Sequence, residues 1–339
     1  MSRHSNNTKK YQLAIVIPAY RKKYFRETLD SLCGQTDQRF RVYVGDDASP
    51  DDLKQTCKDY ESRLDIQYKR FSENFGKTSL VEHWNRCVRL SNEPWCWLLC
   101  DDDVLGPTCV EFFFCTLGQK GKAFSVYRFN TSMIDAENRI FKVNPDHPEI
   151  ESGLEFAISR FRQQRSSFVS EYIFSRQTFD IEGGFINFPI AWCSDDATWI
   201  AFSGTQGIYT INGPRVLWRY SGLNISTPGD TYREQKTDAL FQYLKWFWGR
   251  IATKNVIINE YDYSRLKTIC IQWLYYQLFF IGPVGLANYG SLWRRMNSIF
   301  ERGWCQTVLG LLMVDYRFYK SLILKKLLRI KNAAPNSVD

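Results

Sequence analysis

The sequence predicts an α/β fold in which a mostly parallel sheet is flanked by helices and followed by a helical C-terminal extension. Strand and helix patterns alternate between residues 13 and 100, which is typical of βαβ units. Clusters of polar residues follow individual strands, and the chain beyond residue 226 has a helical, aromatic-rich pattern. We therefore expect a first domain over residues 11–225 and a helical, basic extension over residues 226–339.

Four strands are predicted in the first part of this domain. The stretch "LAIVIPAY" at residues 13–20 is continuously apolar up to Pro18, as expected for a strand buried on both faces. Runs of similar character predict further strands at residues 40–47, 66–71 and 95–100.

Helices are predicted between these strands. In residues 24–32, the apolar side chains of Phe25, Leu29 and Leu32 recur at helical spacing. Helical patterns also cover residues 50–63 and 78–90.

The pattern weakens after residue 126. Residues 137–153 are predicted as a loop and residues 154–162 as a short helix. Residues 183–203 indicate a glycine turn, an apolar segment and a helix that opens with Asp195 and Asp196. An acidic pair at that place also fits a helix N-terminus at which it has only a capping role.

The C-terminal extension carries six basic residues and no acidic one between residues 316 and 331. Its apolar side chains form a helical stripe, made of Tyr319, Leu322, Ile323, Leu327 and Ile330. Such a helix can lie in the interface of an anionic membrane, or it can be a surface helix that docks on the main domain. Tryptophan and tyrosine residues upstream favour the membrane. Polar residues and a Gly-Pro pair interrupt residues 269–287, which disfavours a transmembrane span there.

Composition narrows the classes of function. The chain has 339 residues and a formal net charge of +8, with the excess concentrated near the C-terminus, so we expect no nucleic-acid partner. The ten cysteines include no CxxC pair, and the polar N-terminus has no signal-peptide core. Both features predict a cytoplasmic protein with reduced thiols, associated at most with the inner face of the cell membrane.

The polar clusters are predicted to meet at one edge of the sheet. "PAY" follows the first strand, "DDASPDD" the second and "DDD" (101–103) the fourth. Ligands of open α/β sheets bind beyond the carboxyl ends of the strands. Three adjacent carboxylates repel one another, so a bound cation explains the triplet better than a solvated loop does.

In this order, the stretches "VIPAY", "LDSLCGQTDQRFRVYVGDDASPDD", "ENFGKTSLVEHWNRCV", "LLCDDDVLGP" and "SDDATW" resemble the motifs of family 2 glycosyltransferases with the GT-A fold. The resemblance implies an inverting enzyme that uses a nucleotide-diphosphate sugar and Mg²⁺ or Mn²⁺. A divalent cation suits this reaction because the leaving diphosphate concentrates negative charge.

The resemblance also implies roles for the aspartate triplet. Asp102 matches the metal-binding aspartate, Asp103 is the second metal ligand, and Asp101 is expected on the donor side, near the ribose. Many family members have a D-x-D pair whose first member falls here at Cys100. This departure leaves two working pairs open, namely Asp101 with Asp103, or Asp102 with one neighbour.

Other positions match donor-binding sites of the family. Asp47 corresponds to the residue that accepts a hydrogen bond from the pyrimidine ring, and Pro18 and Tyr20 line the base and ribose pocket. Asn74 fits the donor-side pattern, although a simple turn explains it equally well. Arg219 can meet the diphosphate from a mobile loop, or it can be an exposed structural arginine.

Asp196 matches the general base that deprotonates the acceptor hydroxyl, and Asp195 precedes it where the family usually has glutamate. An inverting displacement requires a base on the face opposite the leaving group, and positioned proton transfer contributes about 10²- to 10⁴-fold.

We therefore predict transfer of a sugar from a nucleotide-diphosphate donor, expected to be a UDP-sugar, to a hydroxyl of a glycan or lipid-linked acceptor in surface polysaccharide biosynthesis. A metal-dependent nucleotidyltransferase and a non-catalytic nucleotide-sugar or glycan-binding module are the alternatives. The first would release pyrophosphate, and neither would need Asp196.

Overall fold

The computed structural model describes residues 11–222, 232–253 and 260–333 of the chain. The chain divides into two compact units, Met1–Ile225 and Ser226–Asp339.

The first unit opens with the alternation that the sequence predicts. Its elements are β1 (Leu13–Ala19), α1 (Phe25–Cys33), β2 (Phe40–Asp46), α2 (Leu53–Lys58), β3 (Ile66–Arg70), α3 (Leu80–Val88) and β4 (Trp95–Leu98). Helix α2 is shorter than predicted at both ends: Asp52 caps its N-terminus by accepting a 2.9 Å hydrogen bond from the Gln55 backbone N–H, and the helix ends at Lys58.

The second half of this unit contains more strands than the sequence predicts. Its elements are β5 (Val104–Leu105), α4 (Cys109–Lys120), β6 (Val126–Ile134), β7 (Ile140–Val143), β8 (Ile150–Glu151), α5 (Gly153–Phe161), β9 (Tyr172–Ser175), α6 (Arg176–Glu182), α7 (Ser194–Phe202) and β10 (Ile208–Arg219). The prediction of a loop over residues 137–153 is therefore wrong. Strand β7 has only four residues, all of them exposed although three are apolar, and β8 has two, so neither is long enough to show a strand periodicity.

Among the described residues, ten strands form one sheet in the order β3-β2-β1-β4-β9-β6-β10-β5, with β7 beside β6 and β8 beside β10. The longest ladders are parallel: β1 pairs with β2 and β4, β2 with β3, and β6 with β10. Antiparallel pairing joins β9 to β4 and β6. The α/β class with a mostly parallel sheet and C-terminal helices is confirmed.

The core lies between the sheet and its helices. Five residues of β1 in succession, from Leu13 to Ile17, have no exposed surface, which explains their unbroken apolar run. Phe25, Leu29 and Leu32 of α1 are fully buried against them, as their spacing predicts. Burial of such side chains contributes about 1.5–3 kcal/mol each relative to exposure.

The second unit is helical over its described residues. It contains α8 (Arg233–Thr253), α9 (Glu260–Ile281), α10 (Tyr289–Phe300) and α11 (Trp304–Ala333). None of the helices in the described part of the chain combines the length and the hydropathy that a bilayer crossing requires.

Helix α11 has two apolar stripes. One is buried and includes Leu311 and Val314. The other is exposed and is made of Leu309, Leu312, Met313, Tyr316, Tyr319 and Ile323. The predicted basic residues Lys325, Lys326, Arg329 and Lys331, and the apolar Leu327 and Ile330, lie outside the residues whose side chains are described.

Candidate active site

Three loops meet at the carboxyl ends of β1, β2 and β4, as the sequence predicts. One oxygen of Asp101, Oδ2, accepts hydrogen bonds from the backbone N–H groups of Tyr20 (2.8 Å) and Arg21 (2.9 Å). The hydroxyl of Ser49, in the loop after β2, donates to the Tyr20 carbonyl at 2.6 Å. These contacts join segments that are distant in sequence into one edge of a crevice.

Asp101 therefore shapes the loop after β1. Tyr20 is 38% exposed at this place, and Pro18 lies one residue inside the strand, opposite Gly45 of β2. The two N–H contacts hold the backbone that is expected to line the base and ribose pocket.

Cys100, Asp102 and Asp103 form a second arrangement in the same loop. Each offers one ligand atom, and these three atoms lie within 4.8 Å of one another. Burial, and then the neighbouring carboxylates, raise the pKa of Asp102 to about 8. Burial also raises the pKa of Asp103 to about 7. Of the two pairs left open by the sequence, the geometry brings together Asp102 and Asp103.

The donor set fits a divalent cation. Asp103 is fully buried, and its Oδ1 accepts a 2.9 Å hydrogen bond from the Arg219 backbone N–H. Its Oδ2 is buried and is in hydrogen-bond geometry with no described group, although the Ser170 hydroxyl lies near enough to lower the pKa of the side chain. A buried carboxylate oxygen without a partner is costly, and a bound cation removes that cost.

Arg219 is not in an exposed or mobile loop. It is the last residue of β10, because that strand stays paired with β6 as far as Ile134, and it is fully buried. Its guanidinium donates to the carbonyls of Asp102 (2.8 Å) and Asp135 (2.9 Å), and stacks on the ring of Tyr24 at 4.3 Å. The expectation that Arg219 lies in an exposed or mobile loop is therefore wrong. Its contact with a diphosphate stays a prediction.

Asp47 is buried beneath the loop that follows β3. It accepts hydrogen bonds from the backbone N–H groups of Phe75 (2.8 Å) and Gly76 (2.7 Å) and from the guanidinium of Arg86. Nδ1 of His83 lies 3.3 Å from the same carboxylate. Burial lowers the pKa of His83 to about 4, so that the imidazole is neutral near pH 7.

Asn74 belongs to the same loop. Its Oδ1 accepts a 2.8 Å hydrogen bond from the Lys77 backbone N–H, which is the turn geometry considered from the sequence. Asn74 precedes Gly76 by two positions, and the backbone N–H of Gly76 donates to Asp47. A donor-side role for Asn74 and the pyrimidine contact of Asp47 stay predictions.

Asp196 is in the first turn of α7 and is paired with a cation. Both of its carboxylate oxygens lie 3.0 Å from Nε of Arg160, which projects from α5. The side chains are 7% and 26% exposed, respectively. Arg160 thus compensates the charge of Asp196 and fixes the orientation of its carboxylate.

Asp195 has a different environment. Its Oδ1 accepts a 2.9 Å hydrogen bond from the backbone N–H of Asp196, but Asp195 lies inside the helix and the N-cap residue is Cys193, so the capping alternative is wrong for Asp195. Burial, and then the charge of Asp196, raise the pKa of Asp195 to about 7. Asp195 is therefore partly protonated near neutral pH.

The segment before β9 connects the triplet to this pair. Ser170 accepts a 3.0 Å hydrogen bond from the Cys100 backbone N–H, and its carbonyl accepts one from the Trp97 indole at 2.7 Å. Two residues later, the ring of Tyr172 stacks on Trp199 of α7 with centroids 4.2 Å apart.

The backbone before α7 is strained. Ile190, Ala191 and Cys193 have φ angles of 51°, 60° and 63°, in the left-handed region that residues with a side chain rarely adopt. Strain of this kind occurs where the surrounding structure imposes a conformation, and here it directly precedes the acidic pair.

Sequence reasoning missed several of these residues. Arg160 and Ser170 give no signal of their own, because they reach the site only through tertiary contacts. His83 and Arg86 are separated by one turn of α3, and this spacing is the only hint that both face Asp47.

The family model described as glycosyl transferase family 2 matches residues 14–177. A search of curated proteins finds no significant match.

Solved structures share the fold. The crystal structure of S. aureus TarS 1-349 in complex with UDP-GlcNAc has a TM-score of 0.65 and 13% identity, covering 91% of this chain and 92% of that one. The complex of TarS 1-349 with UDP gives 0.60 and 14%, covering 85% and 80%. A longer S. aureus TarS structure gives 0.59 and 15%, covering 88% and 49%. Residues 14–177 thus form a segment that matches glycosyl transferase family 2, and this match supports glycosyltransferase activity.

Proposed function

We propose that this protein transfers a sugar, with inversion, from a UDP-sugar to a hydroxyl of a glycan or lipid-linked acceptor in surface polysaccharide biosynthesis. The observation that carries the proposal is the pair of acidic sites, one at the carboxyl edge of the sheet and one at the start of α7. The bound UDP and UDP-GlcNAc of the TarS structures support a uridine nucleotide donor.

The donor is assigned to the loops after β1, β2 and β3. Tyr20 and Pro18 offer backbone groups beside the ribose, and Asp47 offers acceptor oxygens to the ring N–H of uracil. The N–H contacts from Phe75 and Gly76 hold the Asp47 carboxylate in place. Uracil would use a lone pair of that carboxylate left over from these contacts.

Asp102 and Asp103 would hold Mg²⁺ or Mn²⁺, whose chemistry when bound is to neutralise charge on the departing diphosphate. Asp101 keeps the adjoining loop in shape through Tyr20 and Arg21. Arg219 places a second positive charge next to the Asp102 carbonyl, and this supports its assignment to the diphosphate side.

Asp196 is assigned as the general base. A base must be ionised before it can accept the proton of the acceptor hydroxyl, and the 3.0 Å contacts with Arg160 stabilise the charged carboxylate. Asp195, with a pKa of about 7, is partly protonated at neutral pH and is assigned to binding the acceptor rather than to proton abstraction.

The helical unit is assigned to membrane contact at the cytoplasmic face. The exposed stripe of α11 is apolar over several turns, and the sequence that continues this helix is basic. Together they suit an anionic bilayer surface. The division between Ile225 and Ser226 supports a catalytic domain over residues 11–225 and an extension over residues 226–339.

The catalytic assignment is tested with Asp196→Asn. We expect UDP affinity to be unchanged within about twofold, while sugar transfer falls about 10²- to 10⁴-fold. Asp59→Asn, an exposed carboxylate in the same unit, is the matched control and should leave both unchanged. Full transfer activity in Asp196→Asn would refute the base assignment. Release of pyrophosphate in place of a nucleoside diphosphate would identify a nucleotidyltransferase.

The membrane assignment is tested by replacing Leu312, Met313 and Tyr316 with serine and measuring co-sedimentation with phosphatidylglycerol vesicles at low salt. We expect a loss of binding without a loss of donor affinity. The same change at the exposed Ile140 and Phe141 of the first unit is the control. Equal binding by both variants would contradict the assignment.

A further inference from the structure

Cys100 lies where its thiol can join the cation site. It follows β4 directly, and its backbone N–H is fixed by the 3.0 Å hydrogen bond to Ser170. Its Sγ belongs to the group of three ligand atoms that lie within 4.8 Å of one another, together with one oxygen each of Asp102 and Asp103. The first aspartate of the triplet is not in this group, because it is occupied by the loop after β1.

The neighbouring carboxylate supplies an independent indication of a ligand. Asp103 is fully buried, and its Oδ2 has no hydrogen-bond partner among the described groups. This buried oxygen lies beside a second carboxylate and a thiol. A cation at this place would satisfy it, whereas a further hydrogen-bond acceptor would only add repulsion.

We propose that Cys100 is a ligand of the divalent cation, through Sγ, and that it sets the metal preference of this enzyme. The inference rests on the proposed function for the presence of a metal site. A thiolate is a softer ligand than a carboxylate, so a set of one sulfur and two carboxylate groups favours Mn²⁺, Zn²⁺ and Cd²⁺ over Mg²⁺. Binding forms the metal–sulfur bond and releases the thiol proton to the buffer.

The test uses the full chain and Cd²⁺ alone, without donor. Cadmium bound to a thiolate gives an ultraviolet charge-transfer band, which we expect for the wild-type protein and not for Cys100→Ser. Cys115→Ser, at an exposed position on α4, is the matched control and should keep the band. A band that is absent from the wild type, or that survives in Cys100→Ser, overturns the proposal.

A second variant measures the preference. Cys100→Asp replaces sulfur by oxygen, and we expect the ratio of Mg²⁺ to Cd²⁺ affinity to rise about tenfold by calorimetry. An unchanged ratio overturns the proposal.

A third measurement uses only the wild-type protein, so it can be made even if Cys100→Ser and Cys100→Asp do not fold. Iodoacetamide labelling of the wild-type protein, read by peptide mass spectrometry, should slow at Cys100 when Cd²⁺ or Mn²⁺ is added. Labelling of the exposed Cys115 and Cys305 should not change. Equal labelling of Cys100 with and without metal contradicts the assignment.

These readouts are separate from those of the proposed function. If the wild-type protein transfers sugar but shows no thiolate band, Cys100 is not a ligand, and the proposal of glycosyl transfer is unaffected. A thiolate band in a protein that transfers no sugar from any UDP-sugar supports Cys100 as a ligand and refutes the proposed glycosyl transfer.

Discussion

The contact between Arg160 and Asp196 joins α5 to α7, and its removal should weaken both the fold and the reaction. The perturbation is a double-mutant cycle made of Arg160→Gln, Asp196→Asn and the double variant. Both oxygens of the carboxylate lie 3.0 Å from the same Nε, so each single change leaves the other group without its counter-charge.

The expected magnitude follows from burial. Breaking a fully buried pair costs about 3–5 kcal/mol, whereas an exposed pair is worth about 0.2–1 kcal/mol. Asp196 is nearly buried, but the Arg160 side chain is 26% exposed, so water screens part of the charge. We therefore expect each single variant to lose about 2 kcal/mol of unfolding free energy. The double variant should lose little more than that, which gives a coupling of about 1.5–2 kcal/mol.

The assay must report on this unit alone, because the chain has two compact units that can unfold separately. Urea unfolding read by hydrogen exchange at peptides of α5 and α7 meets this need. Arg41 and Asp65, 2.9 Å apart and more exposed, form the control pair, for which a coupling below about 1 kcal/mol is expected. Additive losses within about 0.5 kcal/mol in the Arg160 cycle would refute the reasoning.

Two further predictions concern the start of α7. The folded pKa of Asp195 is about 7 against an ordinary 3.8, so the folded state retains a proton that the unfolded chain loses, and wild-type stability falls between about pH 4 and pH 7. The unfolding free energy of Asp195→Asn should therefore rise relative to that of the wild type across that window, by at most roughly 4 kcal/mol. Urea unfolding at pH 4.5 and pH 8 measures this difference. An equal difference at both pH values would contradict the prediction. Ala191→Gly should stabilise the unit by about 0.5 kcal/mol, because relief of the left-handed conformation, about 1–2 kcal/mol, exceeds the added entropy of the unfolded chain. Ala197→Gly, inside helix α7, is the control and should lower the unfolding free energy by about 1 kcal/mol. If both glycine variants are less stable than the wild type, Ala191 is not strained.

The first half of the fold is predictable because three of its four strands, β1, β2 and β4, are buried on both faces. The residues of β1 and β4 are almost all apolar, and this pattern survives in the sequence. In β6, by contrast, Arg128, Asn130 and Thr131 are buried as well. Arg128 is compensated by Glu151 at 2.6 Å, a partner that no local pattern indicates. Strands with polar residues of this kind cannot be found from periodicity alone.

The acidic positions of the site are predictable, whereas their environments are not. Motif order finds Asp101, Asp102 and Asp103 but cannot tell that the first binds two backbone amides while the others face one another. The placement of Arg219 fails for a related reason: "LWRYSG" reads as a loop, yet its first residues extend a paired strand. Both distinctions depend on strand pairing over long sequence separations.

The double acceptance by Asp101 has a consequence for how a ligand is received. A single oxygen there fastens two consecutive amides from a loop that lies 80 and 81 positions earlier in the chain. Both contacts are made within the folded chain, so this edge of the crevice is formed before any ligand arrives. Replacement of Asp101 is therefore expected to disturb the backbone at Tyr20 and Arg21 in this chain even where the metal ligands are intact.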